Sequence, residues 1–134
     1  MKTTLLLVAS LALGACSVAA RSPDMYRDDT GKALAAKQDA IHSCYDTVLH
    51  STPGVGGHVT VKFEIDTEQG KISHVTVDKA NTTAPDAVAD CVTRHIEGVT
   101  LAPPDARKGE GSWTYEFQAP PASAPTPASA PEKT

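Results

Sequence analysis

The clearest alternation in the chain runs over residues 58–66. Val59, Val61, Phe63 and Ile65 fall on one side, with His58, Thr60, Lys62 and Glu64 on the other. A repeat of two sends successive side chains to opposite faces, so this segment predicts a half-buried strand. "DTEQGK" follows as a turn in which Gly70 can take a positive φ. "ISHVTVD" predicts the returning strand, with Val75 and Val77 turned inward. Ile72 has the wrong parity for that face, which predicts a bulge or twist near the turn. Together the two strands make an antiparallel hairpin.

Helical spacing flanks this hairpin. Leu34, Ile41, Tyr45 and Val48 recur near a period of 3.6 within a helix predicted over 32–50, with Cys44 and Leu49 beside them. Pro53-Gly54 and Gly56-Gly57 end it. Beyond the hairpin, Val88, Cys91, Val92 and Ile96 share one helical face. Thr83 is placed to cap that helix, Pro85 and Asp86 suit its first turn, and Gly98 supplies its stop. The loop "LAPPDARKGEG" leads to a third strand, "SWTYEFQ", which sets Trp113, Tyr115 and Phe117 on one face. This stripe reads first as core packing, with an exposed face that grips a partner as the alternative. The fold class is therefore α+β: an αββαβ domain over 32–118, with a three-stranded antiparallel sheet and two helices on one face.

The two ends differ in kind. Met1-Lys2 gives a positive start, residues 5–13 are an apolar run with one Ser, and Gly14-Ala15 are small. This predicts a signal peptide over 1–15, too short for a permanent span. Leu13-Gly14-Ala15-Cys16 looks like a lipobox, in which Cys16 becomes a diacylated, palmitate-bearing N-terminus; ordinary cleavage after Val18-Ala19-Ala20 is the alternative. Residues 16–31 then read as a lipid-anchored flexible tether. From 119 to 134 the chain is Pro/Ala/Ser-rich, a composition that does not bury enough apolar surface to order itself.

Cysteine usage narrows the chemistry. Of three cysteines, Cys16 leaves the thiol inventory, so Cys44 and Cys91 remain in an exported, oxidising compartment. Cys44 stands inside "HSCYDTVLH". As a nucleophile it lacks a positioned base, because His42 is two residues away and on another helical face. As a metal ligand it lacks partners at helical spacing; Cys91 and His95 have that spacing, but no fourth ligand or CxxC pair accompanies them. A Cys44–Cys91 disulfide fits best, since both cysteines lie on apolar helical stripes that must face one sheet. Closing that loop stabilises by about 4 kcal/mol in the chain-entropy model.

Other functional classes find no support. The formal charge is −4 and no Lys/Arg block occurs, which argues against nucleic acid. Glu64, Asp66 and Glu68 form an acidic turn without the D-x-D-x-D-G pattern of a calcium loop. No Gly-rich phosphate loop, G-x-S-x-G or H-E-x-x-H occurs, so no cofactor, metal or catalytic residue is expected.

With its elements in the order helix, hairpin, helix, strand, the chain resembles the TonB C-terminal-like domains, in particular the AgmX/PglI C-terminal variety. The matching residues are Ile41–Tyr45, Pro53-Gly54, Val59–Ile65, Gly70–Ile72, Val88–Val92 and Tyr115–Phe117, across roughly 38–118. Val99–Pro104 stands where that family carries an aromatic-aromatic-Pro segment. The resemblance implies a non-catalytic periplasmic role; TonB itself pairs an extended peptide with a sheet edge. The expectation is a periplasm-facing lipoprotein of a Gram-negative envelope, carrying a protein-binding or scaffold module. Ser17 after Cys16 points by analogy to the outer membrane. A secreted enzyme inhibitor acting through loop 99–111 or 52–57 is the alternative.

Overall fold

A computed structural model of the protein describes residues 20–121. The expected leader, Cys16 with the first residues after it, and the tail beyond 121 lie outside them. The described chain runs α1 (Pro23–Ala35), α2 (Gln38–Ser51), β1 (Gly57–Ile65), β2 (Ile72–Val77), a short 3-10 turn (Lys79–Asn81), α3 (Asp86–Ile96) and β3 (Gly109–Phe117). The strands form one antiparallel sheet in the order β2-β1-β3. This is the expected α+β class, with one helix more than the hydrophobic pattern predicts.

That extra helix corrects the reading of 16–31 as a tether. Residues 23–31 belong to α1, and the helix opens on signals that do not depend on apolar periodicity. The Ser22 hydroxyl accepts the Met25 N–H at 3.3 Å, Pro23 has no N–H to leave unpaired, and Asp24 opposes the positive helix end. Only Thr30 and Leu34 are buried on it. The helix expected over 32–50 is likewise divided. Lys37 N–H bonds back to the Leu34 carbonyl at 3.0 Å, closing α1, and α2 begins at Gln38.

The hairpin forms as its alternation predicts. Val59, Val61, Phe63 and Ile65 are buried, and Ile72 is fully buried opposite Ile65. The parity break is a bulge: the β1–β2 register shifts between Lys62 and Glu64, and His74 takes φ +53°. Asp66 Oδ1 ties the turn by accepting the N–H groups of Glu68, Gln69 and Gly70 at 2.7–3.1 Å. Those amides, Gln69 first, hold its carboxyl below the ordinary range. Gly70 has φ +67°, and a Cβ there would collide with the Leu101 carbonyl oxygen. The acidic turn is thus a backbone device.

α3 starts at Asp86 without a side-chain cap. Thr83, expected to cap it, instead accepts the His58 N–H of β1 at 3.0 Å. The core-facing residues of the three strands meet Leu34, Ile41, Tyr45, Val88, Val92 and Ile96 in one apolar cluster. Cys44 of α2 and Cys91 of α3 are bonded to each other, with Cα atoms 5.7 Å apart. That bond removes both sulfurs from any metal or nucleophilic role.

Candidate protein-binding edge

A three-stranded sheet has two edges, and this one treats them differently. Along β2 the outer edge is covered. Ile72 N–H donates to the Val99 carbonyl at 2.7 Å, Gly98 N–H to the Ile72 carbonyl at 2.9 Å, and Val75 N–H to Glu97 Oε2 at 3.3 Å. The His74 bulge kinks what remains. Along β3, among the described residues, no backbone bond arrives except from β1.

The register fixes which groups lie open. Thr60 carbonyl accepts the Asp78 N–H at 2.8 Å, and Asp66 N–H donates to the Lys71 carbonyl at 3.0 Å. Even-numbered residues of β1 therefore turn their backbone groups toward β2, and odd-numbered ones toward β3, because the direction alternates along a strand. Val59, Val61, Phe63 and Ile65 stand opposite Tyr115, Trp113, Gly111 and Gly109. Those odd residues of β3 take the bonds to β1. Glu110, Ser112, Thr114 and Glu116 are left with N–H and C=O aimed outward. The strand has nine residues, so the open edge is about 30 Å long.

Side chains separate along the same alternation. Glu110, Ser112, Thr114 and Glu116 are exposed, whereas Trp113 and Tyr115 are half-buried and Phe117 is buried. The aromatic stripe therefore packs against the core, where it also walls two clefts between β3 and the helices. One, of about 450 Å³, is lined by Tyr26, Thr30, Phe63, Gly109, Gly111 and Trp113. The other, of about 280 Å³, is lined by Leu34, Gln38, Ile41, His42, Tyr115 and Phe117. Trp113 borders both. A Cβ on Gly31 would come 2.9 Å from the indole Cη2, which explains a glycine inside α1 despite a helical cost near 1 kcal/mol. A Cβ on Gly111 would come 2.7 Å from the Phe63 ring, so the glycine lets that ring lie under the strand.

Two phenols in this region are buried without hydrogen-bond partners, those of Tyr26 and Tyr115. Burial pushes the Tyr115 phenol up to about 12. Burial first, and then the nearby Asp105 carboxylate, raise that of Tyr26.

Arg21 and Arg107, which line part of the first cleft, belong to a clasp the sequence does not announce. Asp105 is 1% exposed and accepts the backbone N–H of Arg21 at 2.6 Å and of Arg107 at 2.9 Å. Arg21, 6% exposed, bonds Asp29 at 2.8 Å and the Pro103 carbonyl at 2.6 Å. The Arg21 and Arg107 amides hold the Asp105 carboxyl below the ordinary range, and the two guanidinium charges add to that. Arg21 is thus tied to a residue 84 positions further along the chain. The loop 99–108 is fastened down, with Leu101 also buried.

A third groove runs over the disulfide between α2 and α3, lined by Ser43, Asp90, Arg94 and His95 among others. Asp90 and His95 are five residues apart on α3, so they do not share a helical face as an acid–base pair would. His58 Nδ1 lies 3.2 Å from Thr83 Oγ1, and His74 Nδ1 lies 3.0 Å from Glu64 Oε2. Among the described residues no cluster of metal-ligating side chains forms. Sequence reasoning missed the clasp and the full length of β3. The second had a signal: Gly109 and Gly111 share the parity of Trp113, Tyr115 and Phe117.

The chain matches no family model, no curated protein and no solved structure.

Proposed function

We propose that the chain is a lipid-anchored, non-catalytic protein-binding module of the Gram-negative envelope, and that its partner adds a strand to β3. The observation that carries this reading is the contrast between the two edges. Proteins guard free edges with prolines, bulges, covering segments or charges. β2 has a bulge and a cover; β3 has neither, and no proline, and its guards are Glu110 and Glu116. Strand addition supplies backbone bonds for affinity and side-chain pockets for specificity, and this edge offers both. The resemblance to TonB C-terminal-like domains supports the same mode. The fastening of loop 99–108 favours an edge over the loop that an inhibitor would present.

The lipobox supports attachment through Cys16, and Ser17 the outer membrane. Arg21, which is fastened to the domain, lies five residues after Cys16, so the link between them reaches at most ~18 Å. The domain would then sit at the membrane surface, and its partner must come to it.

Ser112→Pro tests the edge. It deletes one outward N–H without touching the β1 ladder, a substitution that edge strands tolerate. A photo-crosslinker at Thr114 in intact cells should capture a partner, and the proline variant should lose that product while its circular dichroism is unchanged. Equal capture by the folded proline variant refutes strand addition. Palmitate label that survives Cys16→Ala refutes the anchor.

A further inference from the structure

We infer that the strand received by β3 is a basic one. It would carry Lys or Arg at the two positions facing Glu110 and Glu116, and a large apolar side chain at the two positions facing Gly111 and Tyr115. This rests on the reading that β3 is the binding edge.

The charge argument starts from what is already paired. On the solvent face of the sheet, Glu64 is matched by Lys108 at 2.7 Å and His74 at 3.0 Å, and Asp78 by Lys62 at 2.8 Å. Glu110 and Glu116 are exposed, and among the described residues neither has an ion pair within 4.0 Å; Lys108, committed to Glu64, acts on Glu110 only at longer range. Both flank the open backbone groups at the outermost row of the sheet. Directly opposed side chains on neighbouring strands lie about 5 Å apart at Cβ, so an incoming residue meets each carboxylate at close range. A second copy of β3 fully overlapped on the first would oppose Glu110 to Glu116 at both ends. The edge therefore disfavours its own copy and favours a cationic strand.

The core-facing positions set the rest of the pattern. An incoming residue opposite Gly111 meets no competing side chain and overlies the larger cleft, with Tyr26, Phe63 and Trp113 on its walls. One opposite Tyr115 overlies the smaller cleft beside Leu34, Ile41 and Phe117. Between them Trp113, pressed on Gly31, leaves room for a small residue alone. The recognised heptapeptide thus reads basic, large apolar, any, small, any, large apolar, basic, and it reads the same from either end.

The test uses the full chain and two capped synthetic peptides, Lys-Ile-Thr-Ala-Thr-Ile-Lys and Glu-Ile-Thr-Ala-Thr-Ile-Glu, up to millimolar concentration. Binding is followed by the fluorescence of Trp113, the single tryptophan, and by exchange protection of the Ser112 and Thr114 amides. The lysine peptide should bind about tenfold tighter than the glutamate peptide, with the gap closing at high salt. Glu110→Lys combined with Glu116→Lys should invert the order. Replacing both isoleucines by alanine should abolish binding. Equal affinity for the two peptides, with the outward amides protected, overturns the charge rule and leaves strand addition standing. No binding and no protection by either peptide overturns both. Protection that rises with protein concentration alone assigns the edge to a second copy and overturns the basic-strand assignment.

Discussion

Replacing both Cys44 and Cys91 by alanine tests what the disulfide does for this fold. The bond joins residues 47 apart in sequence and ties α2 to α3. In the chain-entropy model, closing a loop of that length removes about 4 kcal/mol of freedom from the unfolded chain at 25 °C. Small domains carry a total of roughly 5–15 kcal/mol, so between about a quarter and four-fifths of the margin rests on one bond. Urea unfolding followed by Trp113 fluorescence should show a loss of about 4 kcal/mol, with the thermal midpoint lower by about 15–30 °C. The m-value should rise, because the unlinked chain exposes more surface when it unfolds. Each single variant should lose nearly as much as the double, since either substitution breaks the same bond. Losses below about 1 kcal/mol, or single losses that sum to the double, would assign the effect to side-chain packing and refute the cross-link argument.

Three further expectations follow from positions already described. Gly111→Ala should destabilise by about 1–3 kcal/mol, because its Cβ meets the Phe63 ring, which must leave its packed position to admit it; chemical denaturation checks it. Tyr115→Phe removes a buried hydroxyl that has no partner, so stability should rise by about 1 kcal/mol and the tyrosine ionising near pH 12 should vanish from the alkaline absorbance titration. Asp105 is held below the ordinary carboxylate range by the Arg21 and Arg107 amides, so its contribution is complete above that range and is lost as pH falls through its lowered value. Asp105→Asn should flatten the acid limb of the stability profile and speed exchange at the Arg21 amide; an unchanged acid limb counts against the clasp.

How much of this was readable in advance depends on the range of the interactions. The β1–β2 hairpin was readable because its alternation is local: Val59, Val61, Phe63 and Ile65 on one face, and Ile72 out of step, are enough to predict two strands and a bulge. α1 was not, because its apolar face is weak; its opening signals, Ser22, Pro23 and Asp24, were present but lay in a stretch whose composition reads as linker. The start of β3 was hidden by Gly109 and Gly111, residues that mark a loop in isolation and here make room for Tyr26 and Phe63.

The chain by itself determines the β1–β2 hairpin, the aromatic stretch of β3, the apolar faces of α2 and α3 and the two cysteines that can pair, since each follows from local periodicity and from counting thiols. Tertiary structure alone decides that Arg21 is buried on an aspartate 84 residues away, that β2 is covered while β3 is open, and that Glu110 and Glu116 flank the exposed backbone groups. Those outcomes depend on strand order and on which way each peptide group turns within the sheet. Neither is written in the hydrophobic pattern, because a central strand and an edge strand can bury the same face.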